Sequence, residues 1–234
     1  MKWTPRDARG LDDVLIALSD GREVYAPARG DNGSYKLSRS DAWRTGFHTL
    51  GDYRSTEPLK ALFFPAREFI GRWRGDVLRE PMRERIVFGV KNCDLSALSV
   101  FDHVFLQGVA KDPYYAEARK KTILVSSDCA DHLDVCFCPA VGEQPWADKG
   151  FDINIAQTPA GAVIEDGSER GAGLVDSIPE LLQPATPEQL EALENQHARH
   201  YRDLSDACAV RGVPHGSDLQ AAVEGAFDSE LWGD

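Results

Sequence analysis

The chain has 234 residues, with 26 Lys and Arg against 38 Asp and Glu, for a formal net charge of −12. Its 42% hydrophobic content, with five Trp, ten Phe and six Tyr, suffices for a globular core and excludes a disordered chain. The acidic balance argues against nucleic acid or an anionic membrane as partner, since both need a positive patch.

Residues 1–10 are charged and contain Pro5, and the apolar stretch Val14–Leu18 is shorter than the roughly 7–15 residues of a signal peptide. No run reaches the roughly 20 apolar residues of a membrane span. The chain is therefore expected in the cytoplasm, where clustered cysteines are more often metal ligands or redox groups than disulfides.

Leu11, Val14, Leu15 and Leu18 recur at helical spacing, and Gly21 closes that helix. Arg22–Pro27 and Ser34–Leu37 alternate around Gly30-Asp31-Asn32-Gly33, which predicts a strand, a turn and a second strand. Residues 39–57 are polar and read as a surface excursion. Leu59–Phe64 is a short apolar run closed by Pro65, and Arg67–Trp73 is weakly helical.

The middle of the chain is clearer. Arg85–Val90 is short, apolar and β-branched, as a buried strand should be. After it, Asp94 is a candidate cap for a helix carrying Leu95, Leu98, Phe101 and Phe105. Thr122–Val125 reads as a second buried strand, parallel to the first, which completes a βαβ unit. Phe151–Ile155 and Ala162–Ile164 suggest a hairpin across Pro159-Ala160-Gly161. Thr186-Pro187-Glu188-Gln189 is a capping box that opens a long helix with Leu190, Leu193, His197, Tyr201, Leu204 and Cys208 on one face. An acidic helix is expected from Ser217 toward Leu231. The fold class is thus α/β: a βαβ unit in a small, mainly parallel sheet, with hairpins and a helical C-terminal tail.

Three of the five cysteines fall within ten residues. Cys208 lies on the apolar stripe of the long helix and reads as a small core residue. Cys93 and Cys129 each follow the carboxyl end of a predicted buried strand, where parallel sheets open a ligand crevice. Cys136-Phe137-Cys138 follows Cys129 after six intervening residues and could fold over the same place. In extended backbone its two thiols would face one side about 6.5 Å apart, which suits two corners of an iron–sulfur cluster. Pro139 echoes the Cys-Pro step of ferredoxin loops, and Phe137 could shield the site from water.

Other readings stay open. The four thiols could hold structural zinc, although the spacing lacks a C-x-x-C knuckle, or they could be unconnected buried cysteines. A Cys136–Cys138 disulfide would be strained. His132 could replace one thiolate, whereas His103, His197, His200 and His215 read as surface or satisfied core residues. Asp94, Asp128, Asp131 and Asp134 are caps and turn formers that would also lower a cluster's potential. Lys91, Lys111, Lys120 and Lys121 are candidate counter-charges. No phosphate loop, nucleophile elbow or His-based zinc motif is present, so the chain shows no independent catalytic site.

The segments Phe88–Leu98, Asp112-Pro-Tyr-Tyr115, Asp128-Cys129 leading to Cys136-Phe-Cys138, Gly150-Phe-Asp-Ile153 and Gly167–Gly171 come in an order that resembles one family. It is the iron–sulfur electron-transfer family similar to the beta subunit of soluble [NiFe] hydrogenases (sulfhydrogenases) and the A subunit of anaerobic sulfite reductases. The resemblance is strongest over residues 85–171 and is collinear at Glu23–Pro27 and Pro58–Pro65. It implies an N-terminal α/β domain, residues 1–213, that binds one [4Fe–4S] cluster through Cys93, Cys129, Cys136 and Cys138. Residues 214–234 would then lead toward a ferredoxin domain whose C-x-x-C run this sequence lacks, so the chain reads as an excised domain or a short homologue. The implied partners are a flavin- or NAD(P)H-binding reductase subunit, a catalytic redox subunit, and ferredoxin-type clusters in cis or in trans.

Overall fold

The apolar, β-branched run that ends at Val90 is buried at every residue and forms the strand β4 (Arg85–Val90). Its parallel neighbour is the equally buried β5 (Thr122–Ser127). Both belong to a computed structural model that describes residues 1–6, 10–29, 35–39, 50, 58–64 and 82–230. Among the described residues one sheet also contains β1 (Lys2–Pro5), β2 (Glu23–Arg29), β3 (Tyr35–Arg39), β6 (Ile153–Thr158), β7 (Gly161–Asp166) and β8 (Leu182–Pro184). The strand order is β3-β2-β4-β5-β6-β7-β1-β8. Parallel pairing runs through β2, β4, β5 and β6, and antiparallel strands extend the sheet on both sides.

The helices are α1 (Gly10–Ser19), α2 (Asn92–Asp102), α3 (Pro113–Lys121), α4 (Glu169–Asp176), α5 (Pro187–Val210) and α6 (Ser217–Gly225). The α/β class, the parallel β4–β5 pair, the two hairpins and the helical C-terminal part agree with the sequence. The loop at 30–34, most of the 39–57 excursion, the 67–73 helix and residues 231–234 lie outside the described residues. Leu50, the described residue of that excursion beyond β3, is buried at 2% exposure, so the segment is not wholly at the surface.

Two apolar layers cover the sheet. Val14, Leu15 and Leu18 of α1, with Leu174 and Val175 of α4, pack on Ile86, Phe88, Ile123, Val125, Ile153 and Ile155. On the other face Leu95 and Leu98 of α2 and Tyr115 and Ala118 of α3 pack on Val87, Val90 and Leu124. Strict alternation would put Val90 on the first face with Phe88. The register instead shifts between Phe88 and Val90, and Gly89 (φ 75°) takes a backbone region that other residues rarely adopt. That bulge turns Val90 to the α2 face and aims the chain after it at the edge of the sheet.

Other parts of the family-like sequence are structural. Asp112 caps α3 by accepting from Tyr114 N and Tyr115 N, with Pro113 in its first turn. Gly171 lies so close to Asp152 that an added Cβ would sit 1.8 Å from its carbonyl oxygen. Asp152 in turn accepts from Ser168, Arg170 and the Leu124 amide. These residues lock α4 to β5 and β6.

A second lock joins α2 to α3. Asp102 accepts two bonds from Arg119, at 2.8 and 2.9 Å, and one from the Tyr115 hydroxyl at 2.7 Å. Burial alone would raise the Asp102 pKa, but the Arg119 and Tyr115 hydrogen bonds and the Arg119 charge outweigh it and hold it below the usual carboxylate range. A depressed folded pKa means the unfolded chain takes up the proton first as pH falls. The pair's contribution is therefore full above about pH 4, the unfolded value, and is lost as pH falls through the folded one. Asp102→Asn is expected to unfold at lower urea than the unchanged protein at pH 7, with the gap closing below about pH 4. A gap that does not narrow as pH falls below about 4 would contradict this account.

Candidate cysteine site

Because β4 and β5 are parallel neighbours, their carboxyl ends open on the same edge of the sheet. Beyond β4, Lys91 (ψ 155°) is the N-cap of α2, and Cys93 falls in the helix's first turn. The sequence points to Asp94 as the cap, but Asp94 sits inside the first turn, where its charge favours the helix dipole. The helix starts early because the Lys91 carbonyl already accepts from the amides of Asp94 and Leu95. Beyond β5, Asp128 is buried and Cys129 emerges half-buried, its amide donating to the Pro145 carbonyl.

The C-x-C segment is not extended. Phe137 has φ −146° and ψ 24°, and Cys138 begins a 3-10 turn (Cys138–Val141) that Gly142 closes in the left-handed region. Pro139, fixed at a helical φ in the first turn, favours this geometry. The Leu133 amide donates to Cys136 Sγ at 3.3 Å, and the Cys136 amide returns to the Leu133 carbonyl. The resulting short loop folds over the strand ends.

Cys93, Cys129, Cys136 and Cys138 all line one cavity of about 280 Å³. Lys91, His132, Phe137 and Glu143 share its wall. Cysteines from α2, from the β5 terminus and from the folded loop thus border the same cavity. Among the described residues, no three His, Cys, Asp or Glu side chains gather closely enough to hold a single metal ion. Lys111 and Lys120 are exposed, whereas Lys91 is only 3% exposed. Its Nζ donates to the carbonyls of Leu50 (2.7 Å), Ser127 (3.4 Å) and Asp128 (3.3 Å) and to Ser127 Oγ (2.9 Å).

Contacts from other elements fix the cysteine loops. Glu143 accepts from Asn92 and Ser96, which ties the C-x-C loop to the Cys93 helix. His197 Nε2 of α5 lies 2.6 Å from Asp128 Oδ2, while Asn154 donates to Asp128 Oδ1. The His197 ring stacks on Trp146 with centroids 4.1 Å apart. At the far end of α5, Arg211 Nη2 donates to the Cys136 carbonyl at 2.6 Å, and Cys208 is fully buried beneath it. Cys208 is the core residue its place on the stripe suggests. A second cavity of about 240 Å³ lies on the other side of Cys129, against His200 and Arg199. Burial, then the Arg199 charge, lowers the His200 pKa.

His197 is a satisfied residue on the inward stripe, as its spacing indicates, but its partner Asp128 is not visible in sequence. Arg211 carries no local signal at all. Its hydrogen bond to Cys136 should be worth about 1 kcal/mol, or about fivefold in loop opening. Arg211→Met is therefore expected to make Cys136 alkylation by iodoacetamide about fivefold faster in the metal-free protein, read by peptide mass spectrometry. An unchanged rate would show that the loop is held without it.

The sequence comparisons bear on this site. The chain is 25% identical over 234 residues to Sulfhydrogenase 2 subunit beta of Pyrococcus furiosus, an alignment covering 99% of this chain. The chain resembles a sulfhydrogenase beta subunit. This agrees with the family read from the motifs above, and the chain spans 66% of that subunit's length. No protein-family model matches the chain, and no solved structure matches it. Among the described residues no helix is long and apolar enough to cross a membrane.

Proposed function

We propose that this chain is an electron-transfer domain that holds one [4Fe–4S] cluster through Cys93, Cys129, Cys136 and Cys138. The observation that carries the reading is the meeting of four thiols, from three separate stretches of chain, around one cavity at the carboxyl edge of a parallel sheet. The donor set fits: four thiolates are what such a cluster takes, and a cavity rather than a point suits a ligand with several metal atoms. When bound, the cluster would supply one-electron redox chemistry.

The chain's own residues would do the rest. Cys93 sits in the first turn of a helix, where the dipole favours a bound negatively charged group. The Leu133 amide aimed at Cys136 Sγ is a hydrogen bond of the kind that tunes a cluster sulfur. Lys91 places a fixed positive charge in the wall, and half-exposed Phe137 limits water. Residues 1–213 would form the cluster domain, with 214–234 leading away from it.

The similarity to a hydrogenase beta subunit supports a place in a multisubunit redox complex, and the reduced, clustered cysteines fit a cytoplasmic one. There the chain would pass electrons between a flavin- or NAD(P)H-binding reductase subunit and a catalytic redox subunit, with ferredoxin-type clusters in cis or in trans. Anaerobic reconstitution with iron and sulfide tests the reading. A brown protein with about four iron per chain, whose visible absorption bleaches on reduction, is expected. A colourless protein holding about one zinc would instead mark a structural or docking module.

A further inference from the structure

We infer that the mouth of the cysteine cavity is a docking face for a basic redox protein, a partner with an apolar centre ringed by Lys and Arg. The inference rests on the function proposed above. Leu133, Val135, Phe137 and Val141 are 52%, 64%, 50% and 50% exposed, and all four line the cavity. Large apolar side chains scattered singly over a surface need no explanation. Four around one opening that also contains four thiols form a patch of the kind that marks an interaction site.

Among the residues that line the cavity the exposed charges are acidic, and Arg211, which lies on the Cys136 carbonyl beside the loop, is not one of them. The Asp131 carboxylate lines the cavity with 86% of its side chain exposed, and Asp134 is exposed between Leu133 and Val135. Glu143 adds a third acid, held by Asn92 and Ser96. The ammonium of the lining, Lys91, is turned inward on the carbonyls of Leu50, Ser127 and Asp128 and shows 3% of its surface. An approaching molecule therefore meets an apolar centre with an acidic margin. A second copy of this chain would bring the same acids and a net charge of −12, so like-charge repulsion removes it as the occupant. An anionic bilayer or a nucleic acid fails for the same reason.

Electron-transfer encounters use small interfaces, below about 1,200 Å², and rely on charge for fast association. On this face one electron leaves the reduced cluster and reduces a one-electron acceptor in the partner, and no bond is made or broken. The reverse transfer uses the same contact.

Ferricytochrome c, a lysine-rich haem protein, is a suitable probe. The reconstituted chain, reduced by dithionite and freed of excess reductant, is mixed with it in a stopped-flow instrument. Each ferric haem takes one electron and becomes ferrous. The second-order rate is expected to fall about tenfold as salt rises from about 20 to about 200 mM. Asp131→Asn with Asp134→Asn should slow the low-salt reaction about fivefold and flatten its salt dependence. Glu169→Gln with Glu180→Gln makes the same change of charge elsewhere. Glu169 opens α4, whose Arg170 reaches the Lys120 and Thr122 carbonyls at the opposite end of β5. This pair should slow the reaction less than twofold. Val135→Ser should lower the high-salt rate about threefold at an unchanged potential. Equal effects of the two charge pairs, or a Val135→Ser rate equal to that of the unchanged protein, would overturn the docking face in a protein that is brown. A colourless protein would overturn the functional reading itself.

Discussion

Cys136→Ser combined with Cys138→Ser is expected to hold less than about one iron per chain after anaerobic reconstitution, against about four for the unchanged protein. The two thiols come from a single loop, so their loss leaves Cys93 and Cys129, too few ligands to retain a four-iron cluster. Serine is nearly the same size, and both positions are half-buried, so the loop should keep its fold. Its anchors involve backbone groups and other side chains: Glu143 on α2, Arg211 on the Cys136 carbonyl and the Gly216 amide on the Ala140 carbonyl. Cys208→Ser is the matching control. That change puts a hydroxyl where the Cys136 carbonyl and Arg211 can still pair with it, so it should cost about 1 kcal/mol and leave the iron count intact. Iron retained in the double variant, or lost in a folded Cys208→Ser protein, would refute the ligand assignment.

Lys91→Met should have the second largest effect, and it separates two roles of one side chain. Methionine matches the length of lysine but donates no hydrogen bonds. The carbonyls of Leu50, Ser127 and Asp128 would lose a charged donor in a site that water scarcely reaches. Orphaned buried groups cost about 1–3 kcal/mol each, and Ser127 Oγ still donates to Leu50, so a net loss of about 2–4 kcal/mol is expected in urea unfolding. The second role is electrostatic. Lys91 lines the cavity, and at an effective dielectric constant of about 20 a unit charge there would interact with a bound cluster by about 1–3 kcal/mol. For a one-electron couple this is tens of mV. Positive charge favours the reduced, more negative cluster, so Lys91→Met should lower the potential measured by redox titration. Lys91→Arg should recover most of the potential. A potential unmoved by either change would confine Lys91 to a structural role.

Much of the site was legible in the sequence because parallel strands make the chain's direction informative. Once Arg85–Val90 and Thr122–Val125 read as buried neighbours, Cys93 and Cys129 had to leave the sheet at one edge. The local shape of the loop was less legible. An extended Cys136-Phe137-Cys138 was a fair expectation from alternation alone, but Pro139 and the Leu133–Cys136 turn override it. Two short strands at one end of the sheet also escaped notice. β1 and β8 are four and three residues long, each contains a proline, and neither is long enough to show a period. The crossover between β4 and β5 holds α3 as well as the expected α2, and the Asp112 cap with Pro113 behind it is the local signal that went unread. Asp128–His197 and Cys136–Arg211 were illegible for a different reason. They join residues about 70 positions apart, and a single sequence carries no record of which polar groups will meet.

That separation orders events during synthesis. The four thiols and the strands that carry them are made before α5, and Arg211 follows Cys138 by 73 residues. At about 5–20 residues per second this leaves an interval of several seconds. During it Cys136 has no Arg211, and Asp128 has no His197. A nascent chain in this interval would present its thiols on a loose loop, open to oxidants and stray metals. The cavity is fully held only once α5 is in place, so on the function proposed above a cluster would enter after α5 has been made.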